Sequence, residues 1–122
     1  MGGDQEQMLN ILVVDSNKVY AKMVCEILNE QLRETSVDIA VNIWELRRRL
    51  KGKEYNLVLA DLSLNMDGEE MYEELRSMEK SCVVLWSTLD KMINKTVMKK
   101  PTSEEALQEL LPSLVRNGGV LA

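Results

Sequence analysis

Three short apolar segments constrain the fold of this chain most strongly, at residues 11–14 (ILVV), 57–60 (LVLA) and 83–86 (VVLW). Short apolar runs rich in β-branched and leucine side chains are typical of strands buried on both faces of a sheet. Segments with apolar residues at helical spacing separate them. Strands that alternate with amphipathic helices predict an α/β protein with a parallel sheet covered on both faces.

The full pattern predicts five strands and the helices between them. The first helix begins after Ser16 or Asn17, and the last begins after Thr102 or Ser103, because these side chains are good N-caps. Thr102 and Glu105 also have the spacing of a capping box. The expected strands are residues 9–14, 36–40, 56–60, 82–86 and 96–98, and the expected helices are residues 19–32, 43–52, about 71–78, and 102 or 103 to 115.

Length and charge exclude several classes of protein. A chain of 122 residues indicates one domain, residues 1–122, for which we expect flexible ends at 1–8 and 117–122. The net charge of −5 argues against nucleic-acid binding, so the run Arg47, Arg48 and Arg49 is interpreted as a solvated helix face. No apolar run approaches the ~20 residues that span a membrane. The polar N-terminus does not resemble a signal peptide, so we expect a cytoplasmic protein without membrane contact.

The histidine and cysteine content of the chain excludes further classes of protein. The chain has no histidine, which rules out histidine triads and a phosphohistidine carrier. Its two cysteines, Cys25 and Cys82, are far apart and have no CxxC spacing. They are interpreted as reduced, buried thiols in a reducing compartment.

Polar side chains follow four of the predicted strands. Asp15, Asp61, Ser87 and Lys100 each stand at or just beyond a strand's carboxyl end. A single aspartate there would be interpreted as a helix cap, but four such residues indicate a site, because parallel strands end at one edge of the sheet. Two carboxylates raise each other's pKa unless a cation neutralises them. Mg²⁺ and the Lys100 ammonium could do so, and would favour phosphoryl transfer to a carboxylate.

Four segments together resemble the response-regulator receiver domains of two-component signalling: ILVVD (11–15), LVLADLSLNMDG (57–68), VVLWST (83–88) and KKPTSEEAL (99–107). The similarity extends from Leu9 to Val115. It implies a flavodoxin-like, doubly wound sheet of five parallel strands. It also implies that the chain accepts a phosphoryl group from a histidine kinase or phosphotransfer protein and signals through a downstream protein partner. A homodimer is left open.

The resemblance assigns a role to each site residue. Asp61 would be the phosphoryl acceptor, and Asp15, Asp61 and the backbone carbonyl of Ser63 would bind Mg²⁺. Ser87 would be the switch hydroxyl and Lys100 the lysine that pairs with the phosphate. The Lys100–Pro101 bond is similar to one that is often cis in the family, and an X-Pro bond adopts cis at little cost.

The sequence departs from the family pattern in three places. Ser16 replaces the second acid of an adjacent pair, which should weaken Mg²⁺ binding. The loop at residues 62–68 is one residue shorter than usual and lacks a proline. The connection at residues 87–95 is too short for a full crossover helix, so we expect that helix to be shortened or missing. Val97 also stands where the family has a switch aromatic.

The short connection at residues 87–95 bears on the direction of the fifth strand and on the surface beside it. If the fifth strand ran antiparallel to the fourth, Lys100 would lie at the opposite edge from Asp61; the KKP match favours the parallel arrangement. A missing helix would also leave an apolar surface for a partner, to which four residues would contribute: Leu89, Met92, Ile93 and Val97.

Three functions are consistent with these residues. The first is a stand-alone, non-enzymatic receiver phosphorylated on Asp61. The second is a pseudo-receiver that binds a partner without phosphorylation, which Ser16 and the shortened segments favour. The third is a phosphohydrolase similar to haloacid dehalogenases, with Asp15 as nucleophile. It is disfavoured because Asn17 stands where a second acid is needed.

Overall fold

The computed structural model describes residues 9–32, 34–62, 73–75, 82–89, 91 and 97–117. Within them the strands are β1 (Leu9–Val14), β2 (Thr35–Ala40), β3 (Leu57–Asp61), β4 (Cys82–Ser87) and β5 (Val97–Lys99). The helices are α1 (Lys18–Gln31), α2 (Ile43–Gly52) and α3 (Glu104–Asn117), and residues 73–75 are also helical.

The five strands form one parallel sheet in the order β2-β1-β3-β4-β5. This confirms the doubly wound α/β fold. The parallel register of β5 on β4, with Leu85 opposite Val97 and Ser87 opposite Lys99, excludes the antiparallel alternative. All five strands therefore end at the same edge of the sheet.

The apolar runs fill the core from both faces of the sheet. Alternate side chains of a strand point to opposite faces, so Ile11 and Val13 pack with α1 and α3 while Leu12 and Val14 pack toward α2. Residues 11–14 and 57–60 are all at most 1% exposed. This two-sided burial is why β1 and β3 have continuous rather than alternating apolar sequences.

The helix starts are set by side-chain caps. Asn17 Oδ1 accepts a hydrogen bond from the Tyr20 N–H at 3.1 Å, and Asn42 Oδ1 accepts one from the Glu45 N–H at 2.9 Å. At α3 the cap is Ser103, whose Oγ accepts from the Ala106 N–H at 3.1 Å. Satisfying these N–H groups fixes where each helix leaves the sheet edge.

Two expectations are corrected. Val97 does not contribute to an exposed apolar surface, because it is 4% exposed and packs in a core cluster with Leu85 and Val58; Leu89 is exposed as expected. The Lys100–Pro101 bond is trans, since the described residues contain no cis peptide bond.

Other expectations fall partly or wholly outside the described residues. These are the chain ends at 1–8 and 118–122, the loop at 63–68, the helix expected at about 71–78 apart from residues 73–75, and Met92 and Ile93. Nine residues, 88–96, separate β4 from β5, which is consistent with a shortened helix. Among the residues described, no helix has both the length and the apolar character needed to cross a membrane.

Candidate functional site

The carboxyl edge of the sheet gathers four polar residues in a buried position. Asp15 follows β1, Asp61 and Ser87 end β3 and β4, and Lys100 follows β5. Their exposed fractions are 1%, 4%, 0% and 6%. Charged side chains are almost never buried to this degree unless they are paired. The four residues that the sequence placed at one edge therefore lie together in the interior of that edge.

Lys100 joins the two carboxylates. Its Nζ donates to Asp15 Oδ2 at 2.6 Å and to Asp61 Oδ2 at 2.7 Å. All three side chains are at most 7% exposed, so the contacts are screened little by water. One ammonium thus faces two buried carboxylates, and the cluster of three residues carries a net charge of −1 when all of them are ionised.

The contacts around Asp15 do not fully offset the effect of burial on its pKa. Burial raises its pKa, and the nearby Asp61 carboxylate adds to this effect. The hydrogen bonds from Lys100 and from the Asn17 N–H, the latter 2.8 Å from Asp15 Oδ1, lower the pKa but do not offset burial. The pKa of Asp15 therefore lies above its ordinary value, as expected for a carboxyl group in a largely dry site.

Tyr20 is a site residue that the sequence reasoning missed. The Lys100 ammonium lies 4.0 Å from the centre of its ring, and its hydroxyl donates to the Pro101 carbonyl oxygen at 2.5 Å. The ring also meets Trp86 edge to face, with centroids 6.4 Å apart. Burial, with the charges of Asp15 and Asp61, raises the pKa of Tyr20, so its hydroxyl is neutral. The signal was its position three residues after the Asn17 cap, which aims its side chain back at the sheet edge.

The remaining predicted residues differ in placement. Ser87 is fully buried, its Oγ accepts from the Leu89 N–H at 3.0 Å, and its carbonyl accepts from the Lys100 N–H at 2.9 Å. This second contact ties the end of β4 directly to the lysine. Ser16 is exposed beside the buried Asp15. Ser63 lies outside the described residues.

The donor set can be compared with the needs of a magnesium ion. Mg²⁺ commonly binds proteins through one or two carboxylates and keeps several waters. The described part of the chain has no group of three or more acidic, cysteine or histidine side chains that could hold a metal. Asp15 and Asp61 are thus the two carboxylates that could hold the ion, and Lys100 already contacts one oxygen atom of each.

Comparison with solved structures identifies the fold. A response regulator from Thermotoga maritima matches with a TM-score of 0.71 at 18% identity, covering 90% of this chain and 99% of that one. The signal receiver domain of a DNA-binding response regulator from Colwellia psychrerythraea 34H matches with a TM-score of 0.69 at 21% identity, covering 88% and 98%. The chemotaxis response regulator CheY4 of Vibrio cholerae gives 0.69 at 19%, covering 88% and 99%.

No protein-family model and no curated protein sequence matches the chain. The likeness to receiver domains is therefore one of structure at low sequence identity. It extends over almost the whole of each receiver domain, which confirms the fold that the four segments suggested.

Proposed function

From the receiver-domain fold of this chain, we propose that it is a response-regulator receiver that accepts a phosphoryl group on Asp61 from a histidine kinase or phosphotransfer protein. One observation carries the proposal: the buried Lys100 ammonium contacts both the Asp15 and the Asp61 carboxylates. A carboxylate nucleophile that receives a dianionic group needs positive charge fixed beside it before the reaction begins. The protein would act in the cytoplasm as a signalling module rather than an enzyme, and would signal through a protein partner.

The residues have distinct tasks in this proposal. An Asp61 carboxylate oxygen attacks phosphorus, and the bond from phosphorus to the donor's imidazole nitrogen breaks. Lys100 holds the carboxylate in place and then pairs with the added phosphoryl oxygens. The buried Ser87 hydroxyl stands at the adjacent strand end, where turning toward the phosphoryl group would report its presence.

A metal ion would assist the same step. Mg²⁺ bound by Asp15 and Asp61 would neutralise charge on the transferred group. The Ser63 carbonyl is the third contact that the resemblance implies. Because Ser16 is a neutral and exposed side chain, we expect Mg²⁺ affinity below that of a site with two adjacent acids.

Labelling by a small phosphodonor tests the proposal. The protein is incubated with acetyl phosphate and Mg²⁺, and its intact mass is measured. We expect one phosphoryl adduct on the wild-type chain and none on Asp61→Asn, whereas Asp38→Asn, a matched change on β2, should still be labelled. No adduct under conditions that label ordinary receivers would refute the proposal, as would an adduct that persists in Asp61→Asn.

A phosphorylation-independent binding module is the second candidate function. It is favoured by Ser16, which leaves Asp15 without an adjacent acid, and by Lys100, which already occupies one oxygen of each carboxylate. In that case wild-type and Asp61→Asn proteins should bind a protein partner equally well, with or without acetyl phosphate. Loss of binding in Asp61→Asn would count against this alternative.

A further inference from the structure

The outer face of α2 presents a large exposed aromatic side chain. Trp44 is 71% exposed, whereas the other tryptophan of the chain, Trp86, is 1% exposed and lies in the core. The Arg47 guanidinium lies one turn away, 5.4 Å from the centre of the Trp44 ring. Tryptophan and arginine are the residue types enriched where the binding energy of a protein interface is concentrated. An exposed tryptophan held by an arginine therefore indicates a binding surface.

Two cations continue the same face of the helix. Arg48 and Lys51 are four and seven residues after Trp44, so the three side chains form one exposed stripe. The Arg48 guanidinium lies 3.9 Å from a Glu45 carboxylate oxygen, and Lys51 makes no ion pair with the residues that the structure describes. The rise of an α-helix makes this stripe roughly 10 Å long. That length matches three to four residues of an extended peptide, at about 3.3 Å each.

A groove of about 360 Å³ adjoins the C-terminal end of the stripe. It lies between α2 and the edge strand β2, and its lining has three cations and one acid: Arg48, Arg49, Lys53, Asp38, Gly52 and Tyr55. The Asp38 carboxylate is shared, since Lys53 Nζ donates to it at 3.1 Å and Arg49 lies 3.7 Å away. Positive charge in the groove therefore exceeds negative charge.

One donor in this lining, the buried Nε of Arg49, has no acceptor among the residues that the structure describes. A buried N–H without an acceptor carries a desolvation penalty that an incoming oxygen atom would remove. The groove thus combines excess positive charge with an unsatisfied donor, which is the chemistry that recognises an anionic oxygen.

We propose that the Trp44–Arg48–Lys51 stripe and this groove form a docking surface for an acidic segment of a partner protein. A carboxylate of the partner would enter the groove, and an apolar side chain would cover Trp44. In a chain with a net charge of −5, this face is complementary to an acid that the rest of the molecule repels. A nucleic acid fits less well, because the Asp38 carboxylate and the acidic balance of the chain oppose a polyanionic backbone.

This docking surface would recognise the protein partner of the proposed function, and binding there would not require Asp61. The probe is a synthetic twelve-residue peptide with alternating glutamate and leucine, compared with a peptide that has glutamine for every glutamate. Binding to the full chain is followed by tryptophan fluorescence, in which a change caused by the peptide is assigned to Trp44 because Trp86 is buried. Backbone amide NMR shifts locate the contact.

We expect the acidic peptide to bind at least about tenfold more tightly than its glutamine counterpart, with shifts confined to α2, β2 and the groove. Lys51→Glu and Trp44→Ala should each weaken binding by roughly fivefold or more, the latter followed by NMR alone. Lys22→Glu, the same charge reversal at an exposed position of α1, should bind like wild type. Asp61→Asn should also bind like wild type, which separates this proposal from the phosphoryl-transfer proposal.

Several results would overturn the docking surface. Equal binding of the two peptides would exclude recognition of carboxylates. Equal losses in Lys51→Glu and Lys22→Glu would indicate only a general charge effect. Tighter binding of a single-stranded oligonucleotide than of the acidic peptide would identify a nucleic-acid surface instead. Self-association that Lys51→Glu abolishes would identify a second copy of this chain as the occupant.

Discussion

The ammonium group of Lys100 lies 4.0 Å from the centre of the Tyr20 ring, so an aromatic side chain of α1 covers the lysine that joins the two site carboxylates. A cation over an aromatic face is attracted by the ring quadrupole, and more strongly when water is excluded. Tyr20 also anchors Pro101, the residue after the lysine, through its hydroxyl. Tyr20 therefore acts as a positioning residue for the acidic cluster of Asp15, Asp61 and Lys100, although it lies 80 positions before the lysine in the chain.

Substitution of Tyr20 should separate its two contacts. Tyr20→Phe keeps the ring and loses the hydrogen bond to Pro101, which should lower the free energy of unfolding by about 1 kcal/mol. Tyr20→Leu also loses the ring face and should cost roughly 1–2 kcal/mol more. Urea unfolding at pH 7 measures both. Equal losses in the two variants would show that the ring does not stabilise Lys100.

Replacement of Lys100 should lower the free energy of unfolding more than either substitution of Tyr20. Lys100→Met leaves two buried carboxylates without their cation, and breaking such a buried pair costs about 3–5 kcal/mol. Adding Asp15→Asn to Lys100→Met should restore part of the loss, because it removes one of the two like charges. Urea unfolding at pH 7 checks both variants.

The neighbouring lysine offers a matched control for this prediction. Lys99 is exposed, and Lys99→Met should change the free energy of unfolding by less than about 0.5 kcal/mol. A loss in Lys99→Met as large as that in Lys100→Met would contradict the assignment of the cost to the buried cluster.

The charged cluster around Asp38 should make the free energy of unfolding depend on pH in the acid range. Burial by itself raises the pKa of Asp38, but hydrogen bonds from Tyr55 and Lys53 and the charges of Lys53 and Arg49 bring it below its ordinary value. A carboxyl group with a depressed folded-state pKa contributes stability above its unfolded pKa of about 3.9 and loses it as the pH falls through the folded pKa.

Wild type and Asp38→Asn should therefore differ in stability at pH 7 and converge in strong acid. The free energy of unfolding, measured in urea from pH 7 to pH 2, tests this. Glu26→Gln, on the exposed face of α1, should track wild type throughout. A difference between wild type and Asp38→Asn that stays constant over this range would show that the carboxylate charge of Asp38 is not the cause.

Restoring an acid beside Asp15 should strengthen metal binding. Ser16→Asp adds a carboxylate to the two that we propose for Mg²⁺, and we expect the dissociation constant to fall by roughly tenfold. Isothermal titration calorimetry measures the affinity. Ser103→Asp makes the same chemical change at the cap of α3, where aspartate caps equally well, and should leave the affinity unchanged. No gain in Ser16→Asp would mean that position 16 does not weaken the site.

Much of the fold could be predicted because its signals are local. The runs at residues 11–14 and 57–60 are apolar throughout, because a strand buried on both faces favours apolar side chains on each of them. The cap at Asn17 is likewise a short-range feature. From strand positions alone, Asp15, Asp61 and Lys100 could be placed at one edge, because parallel strands share the edge where ligands bind.

The α/β class and the polar residues at the strand ends could thus be predicted from the residues alone. The packed chain was needed to show that β5 is parallel to β4, that Tyr20 covers Lys100, and that Val97 is buried. It also placed Arg49 beside Asp38, where the run of arginines had been interpreted only as a solvated helix face. The difference lies in separation along the chain. Strand and helix patterns repeat within a few residues, whereas these contacts form only when elements distant in sequence pack together.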